Sequence, residues 1–201
     1  MDESAVNTGP AIRPYPAELQ EHFRYGGRDL LVRPIRADDL LLYRAFLAQI
    51  TAQDLYTRFL VGVHELPEAE IMHFTHIDYD REMAFLVLGQ SGAGAQEILG
   101  VARACADRDN LAAEFAVLVR SDLKGCGLGS LLMDKLIRYC RARGINRLWG
   151  TVLRENAAML QLSKSLGFRV RSVDHNVEEI ELDLQATGTP PGGPSRQPGP
   201  P

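Results

Sequence analysis

The sequence lacks the features that mark several large protein classes. It has only three cysteines in 201 residues, an odd number at unrelated spacings. This excludes a disulfide framework and a zinc site, and it fits reduced thiols in a cytoplasm. No apolar run approaches the roughly 18 residues that a membrane-spanning helix needs, and the acidic N-terminus lacks the apolar stretch of a secretory signal. The net charge of −4 argues against nucleic acid as the main partner, because binding a phosphate backbone requires a basic surface. We therefore expect a cytoplasmic protein without a metal site and without a membrane or nucleic-acid partner.

Composition divides the chain into a folded middle and two irregular ends. The whole sequence is 45% hydrophobic and 24% charged, which is the balance of a globular domain. Residues 186–201 are rich in proline and glycine, so they predict a disordered tail. Residues 1–20 contain several prolines and few apolar anchors, so they predict an irregular N-terminal segment. One domain is expected over residues 21–185.

Hydrophobic periodicity in that domain predicts a mixed α/β fold, with an antiparallel first half and a β-α-β-α-β second half. The predicted strands are Leu30–Pro34, Met83–Leu88, Glu97–Ala106, Ala112–Val119, Arg147–Val152, Phe168–Ser172 and Ile180–Leu184. The predicted helices cover residues 38–50, 51–59, 67–73, 130–143 and 156–166.

A glycine-rich loop joins the strand Ala112–Val119 to the helix that follows it. Its glycines, Gly125, Gly127 and Gly129, alternate along the chain. Glycines allow a ligand to approach the backbone closely, and N–H groups at a helix N-terminus favour phosphate. No Lys-Ser/Thr pair follows the loop and its third glycine comes too early, so neither a P-loop nor a Rossmann fingerprint is present. A pyrophosphate site is predicted, and a tight turn with close helix packing remains the alternative.

Two segments resemble motifs of the GNAT acetyltransferase superfamily. Lys124-x-x-Gly127-x-Gly129 resembles its acyl-CoA loop, Q/R-x-x-G-x-G/A, with lysine at the first position. Residues 156–168 are similar to its N-x-x-A-x-x-L-Y-x-x-x-G-F element, with Ser163 in place of the tyrosine. Four further segments resemble the acetyltransferase domain of bacterial Pat-type protein lysine acetyltransferases: residues 77–85, 97–103, 114–125 and 147–160. The resemblance spans about Leu30–Leu184.

The resemblance implies a fold and a reaction. The fold is a mixed, mostly antiparallel sheet that contains two splayed parallel strands and is flanked by helices. The reaction is direct transfer of acetyl from acetyl-CoA, as co-substrate, to a protein lysine, with metabolic enzymes such as acyl-CoA synthetases as targets. A small-amine acetyltransferase and a non-catalytic acyl-CoA sensor remain alternatives. The oligomeric state stays open, and so does whether the chain is free-standing or an excised domain.

The chemistry of amine acetylation requires a general base. At pH 7 only about 4 in 10,000 lysine amines are neutral, and only the neutral form attacks a thioester. Glu114 is the candidate, because it is the one ionised side chain in an otherwise apolar strand. Partial burial is expected there, and burial disfavours a charged carboxylate. The resemblance supports this role, since GNAT protein acetyltransferases commonly place the base glutamate on this strand. The alternative is a structural ion pair with Arg103.

The resemblance also implies which residues bind acetyl-CoA. A backbone N–H at Leu118 or Val119 is the expected donor to the thioester oxyanion. The expected acetyl-CoA-binding residues are Leu118, Val119, Lys124, Gly125, Cys126, Gly127, Leu128, Gly129, Ser130 and Asn156. A helix N-cap is an equally good interpretation of Asn156. The general acid for the leaving thiolate is left unassigned between Ser163, Tyr79 and no residue at all.

Two charged segments complete the sequence picture. Residues 65–82 contain six acidic residues, and residues 135–154 contain six basic residues and no acidic one. Such segments are usually solvated faces. The functional hypothesis is that the first attracts a cationic lysine and that the second helps to hold the CoA 3′-phosphate.

Overall fold

The computed structural model describes residues 12–59, 66–92 and 94–185. Its strands are β1 (Glu21–Tyr25), β2 (Arg28–Pro34), β3 (Glu82–Gln90), β4 (Gln96–Ala106), β5 (Ala112–Val119), β6 (Arg147–Leu153), β7 (Arg169–Ser172) and β8 (Val177–Asp183). They form one sheet in the order β1-β2-β3-β4-β5-β6-β8-β7. Every neighbouring pair is antiparallel except β5 with β6. The predicted mixed sheet with one parallel pair is confirmed.

Helices cover both faces of the sheet. They are α1 (Leu40–Leu47), α2 (Ala52–Phe59), α3 (Glu68–Thr75), α4 (Leu128–Ala142) and α5 (Ala157–Ser165). The first three pack on one face, in a core that includes Phe46 and Leu86. The last two pack on the opposite face, in a core that includes Phe85 and Leu132. Both faces of β3 are therefore covered. Since alternate side chains of a strand point to opposite faces, nearly every residue of β3 is buried and its sequence is a continuous apolar run.

The first strand, β1, is the element that the sequence did not predict. Its residues alternate between charged and aromatic types, and they lie at the edge of the sheet, half exposed. The available signal was Gly26-Gly27, since both glycines have positive φ in the two-residue turn that joins β1 to β2. Such turns require positive φ at both central positions, which glycine supplies without strain.

The described part of the N-terminal segment, residues 12–20, is packed against the sheet and its loops. A single 3₁₀ turn spans Ala17–Leu19. The backbone N–H of Arg13 donates to the carbonyl of Asp78 at 2.8 Å, and the Tyr15 ring meets Tyr79 edge-on at 5.8 Å. The predicted tail, residues 186–201, lies outside the described residues. No helix among the described residues is long and apolar enough to cross a membrane.

Candidate active site

The site begins where the two parallel strands separate. β5 and β6 are paired only from Ala112 to Glu114, opposite Arg147–Trp149. Beyond Glu114, β5 continues beside β4 alone while β6 continues beside β8. Gly150 lies at the point of separation, where a Cβ would be 3.1 Å from the Phe115 carbonyl oxygen. The absence of a side chain at this position therefore lets the strands start close together and then open a gap.

A cavity of about 570 Å³ occupies this gap. It is bounded by β5, β6, α2, α5 and the glycine-rich loop. All but one of the predicted site residues line it: Glu114, Leu118, Val119, Lys124, Gly125, Gly127, Leu128, Gly129, Ser130 and Asn156. Cys126 is the exception, because its side chain is exposed outside the cavity. The charged lining residues are Asp54, Arg58, Glu114 and Lys124.

Glu114 presents a free carboxylate to the cavity. Its side chain is exposed and makes no hydrogen bond or ion pair with any described residue. The partial burial expected from the sequence is therefore not found. The alternative partner, Arg103, is bound elsewhere: it pairs with Glu82 at 2.9 Å and donates to the carbonyl of Phe74. The carboxylate of Glu114 thus remains available to accept a proton.

The backbone of β5 supplies donors to the same cavity. In an antiparallel ladder, successive residues alternate between bonding the neighbouring strand and facing away from it. Two contacts fix the phase of that alternation: Asp107 N donates to Ala112 O at 2.8 Å, and Arg120 N donates to Leu99 O at 3.0 Å. The Leu118 N–H is accordingly directed to β4, whereas the N–H groups of Val117 and Val119 face the gap.

The glycine-rich loop has an open backbone at one glycine and close helix packing at another. Gly125 and Gly127 have φ of +75° and +81°, and Gly125 has open space around its Cα. Gly129 serves packing instead, because a Cβ there would lie 3.3 Å from Leu162 of α5. Helix α4 starts at Leu128, two positions before the predicted start, with Gly127 as its N-cap. The free N–H groups of the helix therefore begin directly at the cavity.

Tyr25 is a neighbour of the loop that the sequence gave no reason to consider. A Cβ on Gly127 would lie 1.9 Å from the Tyr25 hydroxyl oxygen and 3.1 Å from its ring. The tyrosine comes from the unpredicted strand β1, so its place over the loop depends on the Gly26-Gly27 hairpin.

A polar network ties helix α2 to the loop. The Lys124 ammonium pairs with Asp54, and the Ser121 hydroxyl donates to the same carboxylate at 2.5 Å. Burial alone would raise the pKa of Asp54, but the hydrogen bonds from Lys124 and Ser121 outweigh it and hold that pKa below its ordinary value. The network places the first turn of α2 beside the predicted phosphate site.

The residues considered as general acid are committed elsewhere. Ser163 is fully buried and its hydroxyl donates to the Met159 carbonyl at 2.8 Å. The Tyr79 hydroxyl donates to the Ile35 carbonyl at 2.8 Å. Neither residue lines the cavity. Asn156 does line it, and its side-chain oxygen also accepts the Met159 N–H at 3.1 Å, so it is a true N-cap.

Comparison with known proteins identifies the family. The Acetyltransferase (GNAT) family matches residues 49–168. This chain belongs to the GNAT acetyltransferase family. It is 32% identical over 142 residues to acetyltransferase PA5475 of Pseudomonas aeruginosa, covering 71% of this chain and 76% of that protein.

Two Pat proteins are also similar to this GNAT acetyltransferase. Acetyltransferase Pat of Mycolicibacterium smegmatis is 27% identical over 181 residues, which is 90% of this chain but only 52% of that protein. The chain therefore spans about half the length of Pat. The GNAT domain of S. lividans PAT superposes with a TM-score of 0.76 at 27% identity, covering 85% of this chain and 99% of that one.

Many side chains of the two charged segments, residues 65–82 and 135–154, form ion pairs or hydrogen bonds with other residues of the protein. In the acidic segment, Asp78 accepts three backbone N–H groups and Asp80 pairs with Arg143 and Arg13. In the basic segment, the ion pairs are Lys135–Glu21, Arg138–Glu21, Arg138–Asp134, Arg143–Asp80, Arg147–Glu181 and Arg154–Glu178. No described residue of either segment lines the cavity except the uncharged stretch Gly150–Val152. These contacts assign structural roles to the paired residues.

No metal site accompanies the cavity within residues 12–59, 66–92 and 94–185, where no group of three or more His, Cys, Asp or Glu side chains could hold an ion. The cysteines are free thiols of contrasting environment. Cys126 is exposed on the loop, whereas burial raises the pKa of Cys140 to about 12.

Differential labelling of these thiols tests the loop assignment. At pH 8 only about 1 in 10,000 Cys140 thiols is a thiolate, so we expect no reaction of the folded protein with iodoacetamide at this position. Cys126 should react readily, and saturating acetyl-CoA should slow its reaction at least about fivefold by covering the loop backbone. Peptide mass spectrometry measures both rates, with Cys140 as the internal control. Equal Cys126 rates with and without acetyl-CoA would contradict the prediction that the bound ligand covers the loop backbone.

Proposed function

We propose that this chain is an acetyl-CoA-dependent protein lysine N-acetyltransferase that acts in the cytoplasm on metabolic enzymes such as acyl-CoA synthetases. The observation that carries the proposal is the free Glu114 carboxylate at the point where β5 and β6 separate. Membership of the GNAT family supports acetyl transfer, and similarity to two Pat proteins supports a protein acceptor. The three free cysteines agree with a reducing compartment.

The lining of the cavity supports a site for acetyl-CoA. We place the pyrophosphate at the loop Lys124–Ser130, where the first N–H groups of α4 and the positive end of its dipole favour an anion. The pantetheine arm then follows the gap between β5 and β6. In this arrangement, the N–H groups of Val117 and Val119 face the arm, and we assign to Val119 the hydrogen bond to the developing thioester oxyanion.

Glu114 supplies the proton transfer in this account. Glu114 accepts one proton of the acceptor ammonium through one water, and the neutral nitrogen then forms a bond to the acetyl carbonyl carbon. The second nitrogen proton passes to solvent as the tetrahedral intermediate breaks down. The C–S bond then breaks and the electron pair leaves on the CoA sulfur. Deprotonating a lysine at pH 7 costs about 4.6 kcal/mol, and a positioned base offsets much of it.

The leaving thiolate needs no protein acid in this account. The described residues that line the cavity include no tyrosine, histidine or cysteine. A thiol is far more acidic than an alcohol, with a pKa near 8.5 for cysteine. We therefore expect the CoA sulfur to leave as a thiolate and to take its proton from solvent.

A sensor without turnover is the alternative that the site disfavours. Binding acyl-CoA needs the loop and the strand gap but no carboxylate at the acetyl end, whereas Glu114 stands there without a hydrogen bond or ion pair to any described residue. Acetylation of a small amine such as a polyamine is the alternative enzymatic function. The following experiment distinguishes it from acetylation of a protein lysine.

The acceptor class is tested by following the label from radioactive acetyl-CoA with three acceptors side by side. These are a bacterial acyl-CoA synthetase, spermidine and no acceptor. We expect label on the synthetase, and none on the same synthetase after its lysines are reductively dimethylated. Label on spermidine alone would favour the small-amine alternative. Tight binding without any transfer would favour the sensor.

A further inference from the structure

Arg58 occupies the acceptor end of the cavity. It lies on α2 four residues after Asp54, so it is one helical turn, about 6 Å, farther from the loop that Asp54 and Lys124 join. Its guanidinium stacks over the Phe59 ring at 4.8 Å. Arg58 lines the same cavity as Glu114, and the two charges interact. Helix α2 thus runs from the phosphate end of the cavity to the proposed base.

The guanidinium of Arg58 has no anionic partner among the described residues. No ion pair or hydrogen bond with a described residue involves it, whereas each of the buried arginines is paired with a carboxylate. Those pairs are Arg33–Asp39 at 2.6 Å, Arg103–Glu82 at 2.9 Å and Arg120–Glu97 at 2.7 Å. No buried side-chain nitrogen or oxygen in the described residues lacks a partner, so the unpaired nitrogens of Arg58 are in contact with the water of the cavity.

The surroundings of Arg58 favour binding an anion. Burial lowers the pKa of its guanidinium and the nearby charge of Arg103 acts in the same direction, and together they outweigh the opposite effects of Tyr43 and Glu114. A half-buried cation in this position has lost hydration, and it has gained no hydrogen bond or ion pair to a described carboxylate in return. Stacking on Phe59 leaves the N–H edges free, and two such edges match the two oxygens of a carboxylate.

We propose that Arg58 is a specificity-determining residue that binds a carboxylate carried by the acceptor next to the reacting amine. In a protein acceptor this group is an aspartate or glutamate side chain beside the target lysine. The proposal rests on the proposed function and deepens it. At the acceptor end of the cavity, the Glu114 carboxylate then faces the amine and the Arg58 guanidinium binds the neighbouring anion. Together they select a lysine with an acidic neighbour over a lysine in a basic stretch.

The proposal is tested with matched lysine peptides of about ten residues that differ at one position. A glutamate, a glutamine or an arginine is placed in turn at each of the two positions on either side of the lysine. For the wild-type enzyme, we expect kcat/KM to be at least about tenfold higher for the best glutamate peptide than for its glutamine counterpart, which is ~1.4 kcal/mol. In Arg58→Gln this ratio should fall to near one, while the glutamine peptide keeps its wild-type kcat/KM within about threefold. Arg58→Glu should instead prefer the arginine peptide.

Two controls decide what a lost preference means. Arg58→Lys retains the charge without the two-edged geometry, so it should retain part of the preference. Melting temperature and acetyl-CoA affinity should match the wild type in every variant used. An unchanged glutamate-to-glutamine ratio in Arg58→Gln would overturn the proposal. A uniform loss of activity on all peptides would also overturn it, because it would show that Arg58 positions Glu114 instead.

Failure of the proposed function can be distinguished from failure of this inference. If no lysine peptide is acetylated, the same variants are assayed with free α-amino acids and with their carboxamides. If the wild type prefers the free acid and Arg58→Gln does not, the carboxylate site is supported. The acceptor is then an amino acid instead of a protein. Equal use of acid and amide by the wild type would overturn the carboxylate site itself.

Discussion

Replacing Glu114 with glutamine is expected to lower kcat for lysine acetylation at pH 7 by about 10²–10⁴-fold, the usual effect of losing a general base. The change removes one negative charge and almost no volume. Because Glu114 is exposed and makes no hydrogen bond or ion pair with any described residue, no stabilising contact is lost. We therefore expect the melting temperature and the acetyl-CoA affinity to match the wild type. Steady-state kinetics and calorimetric titration measure the three quantities.

Glu82→Gln is the matched control for this variant. Glu82, Cys105 and Glu114 lie directly opposite one another on β3, β4 and β5, on the same face of the sheet. Glu82 is paired with Arg103 at 2.9 Å, so its substitution should lower the melting temperature. Its kcat should stay within a few fold of wild type, because it does not line the cavity. Similar losses of kcat in both variants would show that charge on this face, rather than Glu114 as a base, governs the rate.

Replacing Gly127 with glutamate should weaken acetyl-CoA binding at least about tenfold, or ~1.4 kcal/mol. Two effects act together. The new carboxylate would stand where the pyrophosphate is expected, and its Cβ would meet the Tyr25 hydroxyl at 1.9 Å, so the tyrosine would have to move. The positive φ of +81° adds a strain of about 1–2 kcal/mol for a residue with a side chain. Calorimetric titration of acetyl-CoA into the folded variant measures the loss.

Gly144→Glu is the control that separates the effects of the new carboxylate and of the Tyr25 clash from the effect of backbone strain. Gly144 has a similar φ of +77° and open space around it, but it follows the opposite end of the same helix. The control should be destabilised without any change in acetyl-CoA affinity. Equal affinities of Gly127→Glu and wild type would contradict the placement of the pyrophosphate at the loop.

Local patterns in the sequence predicted those elements of the fold that have strong hydrophobic periodicity. The strand Ala112–Val119 was placed with its exact bounds, since a turn precedes it and a glycine-rich loop follows it. Strand β1 was missed, because an edge strand buries little and its alternation of charged and aromatic residues is a weak signal. Its Tyr25 therefore could not be connected with the loop.

Sequence motifs predict the candidate site, but they do not predict which of its charged side chains form ion pairs. Which carboxylate pairs with which cation depends on contacts far apart in sequence, such as Lys124 with Asp54 and Arg103 with Glu82. For the same reason, the sequence suggested Arg103 as a partner for Glu114 and gave no role to Arg58. Whether a charge forms an ion pair depends on the folded chain, and Glu114 and Arg58 differ from the charges around them because neither forms a hydrogen bond or an ion pair with a described residue.

The most direct test of the central claim is the ratio of wild-type to Glu114→Gln kcat/KM, measured with one lysine peptide from about pH 6 to pH 10. If Glu114 removes the proton from the amine, the ratio is largest near neutral pH. It then falls steadily toward pH 9–10, because solvent supplies the neutral amine as the pH approaches the lysine pKa of about 10.4. Melting temperatures recorded at each pH confirm that both proteins stay folded. A ratio that remains constant across this range, or a mutant with near wild-type turnover at pH 7, would contradict the assignment of Glu114 as the general base.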